Sequence, residues 1–432
     1  MKDKFESLEQ KMELILTVAQ TLSENGATSD RILRNSKRVA LFLKIPEENF
    51  NLQITQSILF LKIFDGEKFH TTFRQCTKHR INMNVLISVS QLTWEALKKN
   101  YSTQKFQELL KSITERKRNY STVITVLATG FACGGFCFLF GGSILSVIYT
   151  AICSIIGKIL QLKLLKWGVN DFIVIASTTF VATFAAYLAH FLPSETPWTP
   201  VVACALFLVP GVPIINSVIN MLNNFLSNGM VLSFRAVLIT ISITAGIVLA
   251  FEFCIFINLE GIINVNYAEF TRPELESVEH NIFEIILAAM IAAIGFSVIF
   301  NIPKRLLIVM GILGAMAICI RNFSMIELNF SQEVGSFLGA VVVSILTITT
   351  RKFFNTPMQI LVVPPIIPMI PGVLIYTFLF SCINIRHLKV EEFFYAFQIG
   401  IDALQIIFLI SIGAALPNLI AGKIFEKKNK AE

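Results

Sequence analysis

The sequence predicts an α-helical polytopic membrane protein: two inverted five-helix repeats with broken helices, preceded by a small α+β domain. Three observations lead there. Charge is segregated along the chain, long apolar segments recur, and two of those segments are broken by Pro-Gly at matching places. Of 432 residues, 54% are hydrophobic and 15% charged, whereas soluble domains carry roughly a quarter charged residues. Residues 1–120 hold 20 Lys+Arg and 13 Asp+Glu, and residues 121–432 hold 16 of each. The formal charge of +7 therefore belongs to the first part alone. A basic domain beside a bilayer is drawn to anionic lipid heads. No Arg-rich run with interleaved aromatics argues for nucleic acid.

The N-terminal part reads as a cytoplasmic α+β domain over 1–120. Met1–Glu13 is charged and amphipathic, which is not the pattern of a secretory signal. Helical periodicity runs over 7–22, Gly26 ends that helix, and 28–44 is a second. Residues 51–64 alternate and are rich in Ile, Leu and Phe, so they read as a strand. Asp65-Gly66 supplies a hairpin turn into a returning strand over 68–74. Helices over about 82–98 and 103–118 complete the domain. His70 and His79 read as surface histidines. No nucleotide loop, HExxH or nucleophile elbow is present.

Ten apolar segments follow, over 121–140, 143–160, 172–192, 199–222, 233–256, 282–300, 304–321, 334–350, 358–380 and 396–421. Most reach the roughly 17–25 residues that span a bilayer. The second is the weakest, because Lys158, Lys163 and Lys166 crowd its end. With the N-terminus in the cytoplasm, fifteen basic residues flank the spans inside and four outside. The positive-inside rule then places both termini in the cytoplasm. The expected division is a first half over 121–258, an acidic extracytoplasmic loop over 259–281 and a second half over 282–432.

The halves resemble each other most at their fourth spans. One opens with Thr196-Pro197 and breaks at Pro210-Gly211-Val212; the other opens with Thr356-Pro357 and breaks at Pro371-Gly372-Val373. Five spans per half is an odd number, so the second half lies upside down relative to the first. Interior proline removes a backbone bond and kinks a helix, and irregular backbone survives in lipid only against protein or a wet cavity. Paired interruptions in inverted halves point to a central transport site. Pro210, Gly211, Pro213, Pro371 and Gly372 are therefore candidate substrate-binding positions, with half-helix N-termini aimed at an anion in a central polar cavity. Asn216 and Asn220 share a helix face and are expected to line that cavity. On the last span Gln398, Asp402 and Gln405 form a polar stripe at i, i+4, i+7. Asp402 is the carboxylate deepest in any span, which suits proton coupling. Arg235, Arg321 and Glu333 read as anchors at span edges, and Thr240 and Thr244 as threonines bonded to their own helix. Eight cysteines are scattered; Cys133 and Cys137 lie one turn apart without a companion His or Cys pair. No metal and no other cofactor is expected.

Residues 208–216, Leu-Val-Pro-Gly-Val-Pro-Ile-Ile-Asn, resemble the first-half signature of the threonine/serine exporter family. Phe140-Gly141-Gly142, and Gly26-Ala27 followed by Arg31, sit where that family has similar elements. Gly335 to Ala340, Thr356-Pro357 and Ile370-Pro371-Gly372 resemble its second half. In some bacteria the halves are separate proteins, one pair being implicated in succinate export; here they stand fused. The resemblance implies a secondary transporter of the bacterial inner membrane that exports small polar metabolites. Threonine- or serine-type amino acids are the first expectation and a dicarboxylate such as succinate the alternative. The implied partners are that substrate and the lipid bilayer, with a homo-oligomer left open. The family commonly has Asp four residues after the motif Asn; this chain has Asn220, so that carboxylate's task must be met differently. A membrane enzyme or sensor is the remaining class, and it lacks an acid/base or metal constellation.

Overall fold

The structure, a computed structural model, describes residues 7–78, 80–257, 278–385 and 389–431. The loop expected over 259–281 lies outside the described residues as far as 277, and His79 also lies outside them.

The N-terminal part begins with α1 (Leu8–Glu24), started by a capping box in which Ser7 and Gln10 bond each other's backbone N–H. Gly26, at φ +90°, turns the chain into α2 (Ser29–Phe42). Three strands form an antiparallel meander: β1 (Phe50–Ile54), β2 (Ile58–Phe64) and β3 (Phe69–Gln75). The alternating stretch 51–64 is thus two strands rather than one. Thr55 breaks it, because its hydroxyl accepts the Ile58 N–H and donates to the Ile58 carbonyl, closing a turn. The hairpin at Asp65-Gly66 is present: Asp65 accepts the Glu67 and Lys68 N–H groups, and Gly66 sits at φ +104°. His70 bonds Asp65 at 2.6 Å on this surface. Leu59, Leu61 and Ile63 of β2 are buried together with the Ile15, Leu16 and Leu22 face of α1. Helices α3 (Met83–Lys99) and α4 (Thr103–Thr114) complete the layer.

Beyond residue 120 the described residues are almost wholly helical. The elements are α5 (Thr122–Leu139), α6 (Ile144–Lys166), α7 (Asp171–Tyr187), α8 (Thr199–Ala203), α9 (Gly211–Leu222) and α10 (Leu226–Phe256). After the break come α11 (Ile282–Ile299), α12 (Leu307–Ile326), α13 (Gln332–Phe354), α14 (Met358–Ile366), α15 (Gly372–Ile383) and α16 (Val390–Ala431). Among the described residues eight helices are long and apolar enough to cross a membrane, or ten if each bent pair is one span. The second span, weakest in the sequence, is a full 23-residue helix capped by Ser143, with Lys163 and Lys166 in its last turn. Thr240 and Thr244 bond Ala236 and Thr240 of their own helix.

Helix pairing repeats between the halves. The contacts α5–α6, α6–α7 and α7–α10 recur as α11–α12, α12–α13 and α13–α16. Small residues allow the close approaches, as expected where lipid offers no hydrophobic drive between helices. A Cβ on Gly135 of α5 would lie 2.9 Å from the Ala288 carbonyl, and one on Gly295 of α11 2.8 Å from the Ala128 carbonyl. The two leading spans are therefore locked backbone to backbone. Each half also lends a half-helix to the other: α10 packs on α15, and α16 packs on α9.

The N-terminal part is seated directly on the helices. Met83 N–H donates to the Phe300 carbonyl at 3.0 Å, Asn301 donates to Asn82 at 2.8 Å, and the Tyr120 hydroxyl donates to the Ile302 carbonyl.

Candidate functional site

The two bent helix pairs share one backbone recipe. Val209 is extended (φ −57°, ψ 128°) and Pro210 sits at φ −79°, ψ 55° before α9 begins. Ile370 (φ −68°, ψ 127°) and Pro371 (φ −79°, ψ 58°) do the same before α15. These proline angles close an inverse γ-turn, in which Gly211 N–H donates to Val209 O and Gly372 N–H to Ile370 O, each at 2.8 Å. The spans bend by 57° and 54° at these points.

The breaks meet, and they interlock. A Cβ on Gly211 would lie 2.8 Å from Ile370 Cδ1, and one on Gly372 would lie 3.0 Å from Val209 Cγ2 and 3.2 Å from Leu206 Cδ2. Each glycine thus makes room for the residue preceding the other break. Tyr376, fully buried on α15, donates its hydroxyl to the Val202 carbonyl of the first half. The crossing is not the polar cavity the sequence suggests. The space left there is about 10 Å³, lined by Phe136, Leu206, Val209, Gly211, Ile367, Ile370 and Gly372, with no polar side chain. That is at most room for one water, so the crossing is closed. The half-helix N-termini also differ. Pro213 has no N–H and Gly211 has spent its own, which leaves α9 little to offer an anion, whereas α15 has no proline in its first turn.

Asn216 and Asn220 do not reach the crossing; their amides hold the N-terminal part. Asn216 Nδ2 donates to the Gly26 carbonyl at 3.1 Å, and Asn220 Oδ1 accepts the Ser29 N–H at 2.9 Å. Asn228 of α10 joins them, donating to Ser29 Oγ at 2.7 Å and to the Ile54 carbonyl at 2.9 Å. Thr28, the residue before α2, gives that helix no side-chain cap. Its hydroxyl bonds Gln359 instead, at 3.0 Å. Asn220 therefore caps α2 from another element, a position where an aspartate would serve equally through the helix dipole.

Asp402 also lies away from the crossing. It is half-buried at the edge of the packed face of α16, and Gln398 and Gln405 are exposed on the outer side. Cys133 and Cys137 are buried thiols. Among the described residues no three His, Cys, Asp or Glu side chains group as metal ligands.

A second feature was not singled out from the sequence. Between the N-terminal part and the start of α14 lies a chamber of about 730 Å³. Arg31, Arg34 and Arg38 of α2, Lys98 of α3, and Arg305 and Arg351 from the second half line it, against one carboxylate, Glu95. Arg31 is 4% exposed. One of its terminal nitrogens donates to the Leu86 carbonyl (3.0 Å) and Ser90 Oγ (3.1 Å), while its Nε has no partner. Burial first, then Arg34 and Arg38, push its guanidinium down to about 9, and burial followed by Arg34 pushes Arg38 down to about 10. Arginine keeps its proton at neutral pH even so, which leaves Arg31 a buried positive charge, while Asp30 acts on Arg38 in the opposite sense. The i, i+3, i+7 spacing on α2 was visible in the sequence; the convergence of Arg305 and Arg351 was not.

Two family models match the chain: "Putative threonine/serine exporter" over residues 13–254 and "Threonine/Serine exporter, ThrE" over residues 285–420. A Klebsiella aerogenes protein named "Probable succinate transporter subunit YjjP" is 28% identical over 240 residues, covering 55% of this chain and 91% of that one. No solved structure matches. With the first model covering more than half of the chain, and the second most of the remainder, the chain belongs to the threonine/serine exporter family and is a multi-pass membrane transporter.

Proposed function

We propose that the chain is a secondary exporter of small carboxylate-bearing metabolites, working by alternating access as two inverted five-span halves rock about the Pro-Gly crossing. The reciprocal crossing carries this reading. Two spans with the same backbone break interlock at the centre, each half inserts a half-helix into the other, and the remaining helix contacts recur in both halves. Counting each bent pair as one span gives five per half, which turns one half over relative to the other. Such repeats place the substrate where the broken helices meet. The closed, dry crossing then fits an occluded state, and opening would expose the first turn of α15 with its partial positive charge. Pro210, Gly211, Pro371 and Gly372 would form the moving contact. Asn216, Asn220 and, through Pro213, the stiffened start of α9 would pass that movement to the N-terminal domain.

In this reading both termini and the N-terminal domain lie in the cytoplasm of a bacterial cell and ten spans cross its inner membrane, which the basic flanks support. Asp402, on the helix that packs against α9, would carry the coupled proton, with Gln398 and Gln405 extending its polar face. A neutral carboxyl is cheap to bury and an ionised one needs water or donors, so its charge state would follow which side is open. A dicarboxylate is favoured by the cation-lined chamber and by the name of the Klebsiella relative. Serine and threonine are the second reading, favoured by the family's description. Counterflow in proteoliposomes loaded with unlabelled succinate or serine tests the assignment. Labelled succinate should exchange only through liposomes holding this protein, and exchange of neither compound would refute the reading.

A further inference from the structure

We propose that the basic chamber between α2, α3 and the start of α14 is a cytoplasmic capture site for dianionic carboxylates, which makes the N-terminal domain part of the transport route. This rests on the exporter reading above and specifies its substrate class and point of entry. The chamber sets six cations against Glu95, and Glu95 already accepts bonds from Tyr101 (2.9 Å) and Lys99 (3.3 Å). Asp30 pairs with Arg34 at 2.6 Å, which takes that cation out of the excess, and Glu47 pairs with Lys37, which is not part of the lining. Arg31 is a buried charge whose Nε has no partner among the described residues; that atom is sealed from solvent, so Arg31 acts on the chamber by its charge and not by an open donor. The Arg38 guanidinium carbon lies over the Trp94 ring at 4.1 Å, which restrains its fork. Asn355 and Gln359 add amides to the walls, while the Asn35 and Gln91 amides already donate to the Arg31 and Asn355 carbonyls.

The charge discriminates between ligands. Two carboxylates gain from every cation in the chamber, whereas the ammonium of a zwitterionic amino acid is repelled by the same groups. Position gives the chamber its role. Asn355–Gln359 of its wall lead straight into α14, the first part of the second broken span, and so toward Gly372. The matching place in the first half, where Thr196-Pro197 opens the other broken span, is filled instead. There Ser143, Ser146, Ser194 and Thr196 bond one another at 2.7–3.1 Å and no cation takes part. An anion would thus be gathered at one mouth and met by neutral hydroxyls at the other, a gradient suited to export.

The test measures binding of labelled succinate to the purified full chain in neutral detergent, with serine or phosphatidylglycerol as competitor. Arg38→Gln and Arg351→Gln should each weaken binding about 10- to 100-fold, and Arg38→Lys should recover most of the loss. Serine should displace succinate poorly. Unchanged affinity in both Gln variants, displacement by serine as effective as by succinate, or phosphatidylglycerol as the tighter occupant would each overturn the proposal. Parallel transport assays separate the two readings. Succinate transport unaffected by either Gln variant keeps the exporter and removes the capture site; Arg-dependent succinate binding with no transport of either compound does the reverse.

Discussion

Replacing Gly372 by leucine should stop transport while leaving the protein folded. The first added carbon alone would sit 3.0 Å from Val209 Cγ2 and 3.2 Å from both Leu206 Cδ2 and Val209 Cγ1. Valine is stiff at χ1, so it cannot swing aside. The adjoining space is only about 10 Å³, and the remaining three carbons have nowhere to go unless the halves part. Overpacking of this kind costs about 1–3 kcal/mol, a loss that a closely packed bundle of this size survives. Rocking, however, must pass through the same contact. Gly211→Ala is the milder control, because its Cβ crowds the far end of the Ile370 side chain at 2.8 Å and meets Ile367 at an ordinary 3.5 Å. In proteoliposomes at matched protein content, we expect Gly372→Leu to fall below about a tenth of parental exchange and Gly211→Ala to stay near it. Parental exchange by Gly372→Leu would refute the moving-crossing argument.

Three further outcomes follow from particular contacts. Asn220→Leu leaves the Ser29 N–H without its 2.9 Å partner and should loosen the N-terminal domain by about 1–2 kcal/mol, seen as faster limited proteolysis between α1 and α2, whereas Asn220→Asp should hold it. Asp402→Asn mimics the protonated carboxyl, so accumulation driven by a pH gradient should vanish while counterflow persists; accumulation equal to the parent's would make Asp402 structural. A cysteine placed within 259–277 of a cysteine-free chain should react with an impermeant thiol reagent on intact cells, and labelling only after lysis would reverse the topology.

The long apolar helices were legible because apolar length is a local property. The broken spans were legible because Pro-Gly dictates backbone wherever it falls: the sequence match at 209–212 and 370–373 corresponds to proline angles that agree within a few degrees. What Asn216 and Asn220 touch was not legible. Helical spacing placed them on one face, but which body covers that face depends on how the N-terminal domain docks, and their partners lie about 190 positions away in sequence. The stripe on α16 failed in a similar way. A polar i, i+4, i+7 pattern marks a face without saying whether it looks inward, and Gln398 and Gln405 look outward. The chamber was half visible: three arginines on α2 could be seen, while Arg305 and Arg351 join them only in the folded chain.

The claim that transport depends on movement at the crossing is tested most directly by a reversible lock. Val209 and Gly372 face each other closely enough for their Cβ atoms to suit a disulfide, and Val209→Cys removes one of the two γ-carbons that crowd position 372. In a cysteine-free chain carrying Val209→Cys and Gly372→Cys, oxidation should abolish succinate counterflow and reductant should restore it. Full counterflow with the cross-link formed would contradict the account.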